Sequence, residues 1–108
     1  MSSLEDELAF QLQAAGVTAE REYRFDEHRR YRFDFAIPAV KVAVEVQGGV
    51  WSGGAHGRGS GIVRDYDKIN LAQLLGWIVL LFDVTAVRDG RALATIQMAL
   101  EKCKEGEL

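Results

Sequence analysis

The chain holds one cysteine, one proline and only four lysines among its 108 residues, and each scarcity removes a class of explanation. The lone Cys103 cannot close an internal disulfide, and no partner stands at a zinc-site spacing, so a reducing compartment fits. No apolar run approaches the ~18 residues needed to cross a bilayer. The opening residues, MSSLEDELAF, carry acids where a signal peptide carries basic residues. These absences lead to the expectation of a soluble, cytoplasmic protein without membrane contact. Positive charge is not in excess either: the net charge of -3 argues against a surface that is entirely a nucleic-acid footprint.

The length and the 48% hydrophobic content suit one domain, 1–108, with a real core. Basic residues are nonetheless clustered: Arg21, Arg24, Arg29, Arg30 and Arg32 fall within twelve positions, with His28 among them. Glu22, Asp26 and Glu27 interleave with them, so the stretch is either a phosphate-binding edge or a solvated strand pair of alternating charge.

Hydrophobic periodicity orders the elements. Ser2 or Ser3 can cap a first helix whose stripe is Leu4, Leu8, Leu12 and Ala15, ended by Gly16. Of its acids only Glu5 flanks that stripe, while Asp6 and Glu7 turn away. From Glu22 to Gln47 the period becomes two. A strand around Glu22 to Phe25 precedes a hairpin in which Tyr31, Phe33, Phe35 and Ile37, then Val42, Val44 and Val46, make one apolar face. The turn lies at Pro38 and Ala39. Next, Gly48 to Gly61 holds seven of the eleven glycines and predicts no regular element. Ile62 or Val63 to Leu75 reads as a helix ended by Gly76, Trp77 to Phe82 as a strand buried on both faces, and Arg91 to Lys102 as a closing helix. The order α-β-β-β-α-β-α predicts an α/β (α+β) fold, a central mixed four-stranded sheet flanked by helices.

Asp34 and Glu45 each interrupt an apolar strand, opposite its apolar face. Any register that stacks Phe33 and Phe35 over the valines brings them opposite or diagonal, with backbones about 5 to 8 Å apart. Such a pair can bridge a divalent cation, and hard oxygen ligands without nearby Cys or His favour Mg²⁺ or Mn²⁺ over zinc. The competing reading is a polar outer sheet face with an Arg32 to Glu45 ion pair. Gln47 lies two residues beyond Glu45 on the same face and is followed by Gly48 and Gly49, where backbone can approach a ligand closely.

Asp34 followed by Glu45-Val46-Gln47 resembles the D...(D/E)XK signature of the PD-(D/E)XK nuclease superfamily, with glutamine in place of the motif lysine. Glu5 matches an acid that many members place on the first helix, and α-β-β-β-α-β is the superfamily's common core. RRYRFDF at 29–35, VAVEVQGG at 42–49 and LGWIVLLF at 75–82 resemble compact bacterial and phage nucleases akin to very-short-patch repair endonucleases, VRR-Nuc proteins and Holliday junction resolvases. The resemblance covers roughly three quarters of the chain.

The resemblance implies metal-assisted phosphodiester hydrolysis in DNA, with Mg²⁺ (Mn²⁺ substituting) held by Asp34, Glu45 and the Val46 carbonyl. Glu5 would orient a second ion or a water. Gln47 cannot supply the charge of the usual lysine, and Lys68, near Asn70 and Gln73 on the following helix, is the candidate replacement; it is alternatively an ordinary solvated lysine. Arg29, Arg30, Arg32, Trp51, Ser52, His56, Arg58, Ser60 and Asn70 are the candidate DNA contacts, the middle five on a glycine loop able to mould to a strand. Trp51 would stack on a base or pack against its own protein. His56 is an alternative general base, and His28 in its charged turn reads as structural.

So small a chain has no separate element for reading bases, which favours a structure-selective enzyme acting on branched or double-stranded DNA, such as a Holliday junction, as a two-fold homodimer. Phage origin, with action in the host cytoplasm, would suit this. Mismatch nicking and general DNA processing are alternatives. A third is a catalytically inactive DNA-binding module, motivated by the missing motif lysine.

Overall fold

The computed structural model describes residues 3–47 and 60–108. Helix α1, Leu4–Ala14, starts where Ser3 Oγ accepts the Asp6 amide at 3.0 Å and Asp6 returns a carboxylate oxygen to the Ser3 amide at 3.3 Å. Two amides at the helix start are thereby satisfied, and the acids of the first turn favour the positive end of the helix dipole. Gly16, at φ +78°, ends the helix: the left-handed conformation lets the Val17 amide reach back to the Leu12 carbonyl at 2.9 Å.

Strands β1 (Glu20–Arg24), β2 (Arg32–Ile37), β3 (Val42–Gln47) and β4 (Ile78–Asp83) lie in the order β1-β2-β3-β4. The first three are antiparallel, and β3 with β4 is parallel. Helix α2, Ser60–Leu74, makes the crossover that a parallel pair requires. Helices α3 (Val84–Arg88) and α4 (Arg91–Lys104) follow, α3 opening where Asp83 Oδ1 accepts the Ala86 amide at 2.9 Å. This is the mixed four-stranded sheet with flanking helices that the periodicity predicts. Among the described residues no helix is long and apolar enough to cross a membrane.

Element ends differ from the sequence reading by one to three residues, and one element is added. The first strand begins earlier, at Glu20; α2 begins at Ser60 and takes in Gly61, so the last glycine of the glycine-rich stretch is helical; and the short α3 is additional. A five-residue helix is too short to show an amphipathic period.

The sheet is covered on both sides, and the hairpin of β2 and β3 does not keep the single apolar face its alternation suggests. Leu8, Leu12, Phe35, Val44, Val87, Ala92 and Ile96 form the cluster beneath α1, α3 and α4. Phe33, Ala36, Ala43, Ala72 and Trp77 form the other, on the α2 side. Phe33 and Phe35, expected on one face, therefore belong to different clusters. The face changes at Asp34, and the β1–β2 pairing skips the position of Glu22 across from it, where Glu22 sits at φ +52°. Pairing holds on either side of it, Arg21 to Phe35 and Tyr23 to Phe33, but the strands turn over between the two. Arg21 then lies over the Phe35 ring at 5.5 Å, whereas Phe33 stacks on Phe25 at 4.3 Å and meets Trp77 at 5.2 Å.

The apolar run from Trp77 to Phe82 is not a strand buried on both faces. Among the described residues its strand β4 pairs only with β3 and forms an edge of the sheet, with Leu81 50% exposed. The doubly buried strand is β3, where Val42 to Glu45 are all buried. A continuous apolar run does not distinguish the two positions.

Because Ile96 is fully buried and Phe10 is 73% exposed, equal truncations separate them. Ile96→Ala is expected to lower unfolding free energy by about 2–5 kcal/mol in urea titration, through lost transfer energy and a cavity. Phe10→Ala should change it by less than ~0.5 kcal/mol.

Candidate active site

The β2–β3 ladder runs from Ile37 with Val42 to Phe35 with Val44 and stops there. The same register would next set Asp34 opposite Glu45. Instead the strands part, and the two side chains take over the backbone hydrogen bonds: the Asp34 amide donates to Glu45 Oε2 at 2.9 Å, and the Val46 amide donates to Asp34 Oδ2 at 2.7 Å. Inner-strand amides need acceptors, and ionised carboxylates are strong ones. Strand β3 meanwhile stays paired to β4 through Glu45, Val46 and Gln47. Since the N–H and C=O of one strand residue point to the same side, the Val46 carbonyl is directed toward the gap between β2 and β3.

Lys68 enters this fork from α2. Its ammonium forms an ion pair with Glu45 Oε1 and donates to the Arg32 carbonyl at 3.0 Å. Both side chains of the pair are largely buried, 14% exposed for Lys68 and 10% for Glu45. The Arg32 to Glu45 ion pair of the competing reading does not form; Arg32 contributes its carbonyl, and Lys68 the charge. From α1, Glu5 acts on Asp34 through its charge. Its neighbours are committed elsewhere, Asp6 to Arg21 at 3.0 Å and Glu7 to Arg88 at 3.4 Å.

The one ammonium here is committed to Glu45, while Asp34 feels the charges of both Glu45 and Glu5. The Asp34 carboxyl is pushed up to about 6, mainly by burial, with the charges of Glu45 and Glu5 adding to it and the Val46 amide opposing it. A site short of positive charge, lined by carboxylate oxygens and a backbone carbonyl, fits a hard divalent cation such as Mg²⁺. Among the described residues no group of three or more His, Cys, Asp or Glu side chains is placed to hold a metal ion. A cation here would therefore rest on Asp34, Glu45 and the Val46 carbonyl, with water or phosphate completing its shell, as Mg²⁺ commonly allows.

The other sequence-derived candidates are dispersed. Gln47 is exposed at the end of β3, makes no hydrogen bond to either carboxylate, and lines a groove with Asp83, Ala86, Arg91 and Met98. Asn70 is exposed on α2. Arg29, Arg30 and Arg32 are exposed at the β1–β2 connection, Arg29 paired to Asp26 at 3.0 Å. Trp51, Ser52, His56 and Arg58 lie outside the described residues. Arg24, undistinguished in sequence from the arginines around it, differs in place: its guanidinium donates to the carbonyls of Asp26 and Arg29, both at 3.2 Å, and of Glu27 at 3.0 Å. No local spacing signals that role.

A carboxyl whose pKa is raised by folding holds more protons in the folded than in the unfolded chain between about pH 4 and about pH 6. Its stabilising contribution is present below that window and lost as pH rises through it. In chelator-treated protein, Asp34→Asn should consequently gain stability over the parent above pH 6 and not at pH 4. Urea titrations at the two pH values measure this; an equal difference at both would contradict the assigned environment of Asp34.

No family model matches the chain, and no curated protein matches it. Among solved structures it is similar to the catalytic domain of the homing endonuclease I-Bth0305I, with a TM-score of 0.67 over 100% of this chain and 99% of that domain. Sequence identity is 16%, so the likeness is one of fold: the chain has the mixed-sheet architecture on which that endonuclease catalytic domain is built.

Proposed function

We propose that the protein is a metal-dependent endonuclease that hydrolyses phosphodiester bonds in DNA. The observation that carries this reading is the fork at Asp34 and Glu45, where two carboxylates held by backbone amides meet the ammonium of Lys68. An architecture shared with an endonuclease catalytic domain supports it. So does the shortage of positive charge around Asp34, which a divalent cation would relieve.

Asp34, Glu45 and the Val46 carbonyl would hold the cation, Mg²⁺ or in its place Mn²⁺. When bound, such an ion lowers the pKa of a water and offsets the charge that develops on the phosphoryl oxygens. The chain's own residues do the rest. Lys68, anchored by the Arg32 carbonyl, keeps an ammonium beside Glu45 and facing the same negative charge, a part that the neutral Gln47 cannot take. The hydrogen bond from the Val46 amide fixes the Asp34 carboxylate, and Glu5, whose charge reaches Asp34, would orient a water or a second ion. With Lys68 at Glu45, the missing motif lysine no longer motivates an inactive binding module. Within the nuclease reading we favour branched DNA, such as a Holliday junction, as substrate and a two-fold dimer as the acting form.

The test is cleavage of junction, flap, nicked and linear DNA in Mg²⁺ or Mn²⁺. The parent should cut; Asp34→Asn and Glu45→Gln should fall to background, and Lys68→Met should lose on the order of 10²-fold. Mg²⁺ should also raise the Tm of the parent but not of Asp34→Asn. Failure to cut any substrate would falsify the proposal, and equal cutting of linear duplex would remove the preference for branched DNA.

A further inference from the structure

The loop between β1 and β2 is built unlike a solvated connection. Two side chains supply five hydrogen bonds inside it. Arg24 holds the carbonyls of Asp26, Glu27 and Arg29, while Asp26 takes the His28 amide at 3.2 Å and the Arg29 guanidinium at 3.0 Å. Aromatic rings close its two ends, because Phe25 stacks on Phe33 at 4.3 Å and on Tyr31 at 6.1 Å. The interior of the loop is therefore consumed in holding its own shape.

What this shape presents is charge. His28, Arg29, Arg30 and Arg32 are all exposed, and among the described residues neither the Arg30 nor the Arg32 side chain has an ion-pair or hydrogen-bond partner. The loop also leads straight into the candidate site. The Arg32 carbonyl holds Lys68, and Asp34 lies two residues further on. From Arg30 to Asp34 the extended chain spans at most about 13 Å, the axial rise of roughly four nucleotides of one DNA strand. An arginine at Arg30 or Arg32 is within reach of phosphates flanking one held at the fork.

We propose that Arg24 is a positioning residue for DNA binding, fixing the backbone that presents Arg30 and Arg32 to phosphates flanking the one at the Asp34–Glu45 fork. Its own guanidinium is turned inward to three carbonyls and does not touch phosphate. Ordering the loop beforehand removes an entropic cost that binding would otherwise carry. The inference rests on the nuclease reading, and it adds a division of labour between arginines that sequence alone treats alike.

Fluorescence anisotropy with labelled junction and duplex DNA, in chelator so that nothing is cut, separates the two roles as salt is varied. Arg30→Gln should weaken binding and reduce the slope of log K against log salt by about 0.9, the signature of one lost phosphate contact. Arg24→Gln should weaken binding by roughly tenfold while leaving that slope unchanged. Arg24→Lys, which keeps the charge but not the planar fork, should resemble Arg24→Gln rather than the parent. The double variant Arg24→Gln/Arg30→Gln should lose less than the product of the two single losses, because Arg24 acts through Arg30. Unfolding midpoints of each variant identify any loss that comes from a damaged fold. A reduced slope in Arg24→Gln, or full binding by it while Arg30→Gln is impaired, would overturn the inference and leave the nuclease reading intact. Parent protein with no salt-dependent binding at all overturns both.

Discussion

Two backbone amides at the inner edge of the sheet, those of Asp34 and Val46, donate to carboxylates where a regular ladder would offer carbonyls. Most of what distinguishes this molecule depends on that exchange. It lets β2 and β3 separate without leaving their inner amides unsatisfied, which buried backbone does not tolerate. It also holds one oxygen of each carboxylate in place, while Lys68 takes the second oxygen of Glu45. The exchange opens a gap on an otherwise closed sheet and lines it with negative charge. Lys68 answers part of that charge, and Glu5 adds to it.

Each neighbouring feature serves or compensates this opening. The strands β1 and β2 turn over at Glu22 and Asp34, so the aromatic cluster of Phe25, Phe33 and Trp77 closes the sheet on the α2 side just beside the site. Strand β3 cannot rely on β2 beyond Val44, and its parallel pairing with β4 holds it straight. The cover given by α1, α3 and α4 on the opposite face supplies the burial that a small, opened sheet needs.

The pairing of two acids across a hairpin is legible in sequence, because Asp34 and Glu45 break an alternation that has no other reason to break. Glu5 is legible for a similar reason, as the one first-turn acid beside the apolar stripe. The meeting of Lys68 with Glu45 is only half legible. Scarcity of lysine singles out the residue, but its contact depends on how a crossover helix packs, and no spacing encodes that. Gln47 misleads: proximity in sequence and a shared strand face suggest a place in the site, yet the residue lies past the end of the fork in a groove of its own. The face change at Glu22 is invisible because glutamate gives no hint of a positive φ, which sequence reasoning reserves for glycine. The edge position of β4 is hidden for another reason: an apolar run reports hydrophobicity, not how many neighbours a strand has.

The parallel joining of β3 to β4 bears on the order in which the molecule is assembled. The hairpin of β2 and β3 closes through a short turn, whereas Val42 meets Ile78 only after the whole crossover, with α2 inside it, has been gathered in. Closing so long a segment costs chain entropy before its contacts repay it. The hairpin can thus bring the acids together while their counter-charge is still on a distant stretch of chain. Like charges set face to face disfavour the hairpin on its own, and Lys68 offsets that in the complete fold, so the ion pair rewards completion of the topology rather than the hairpin alone.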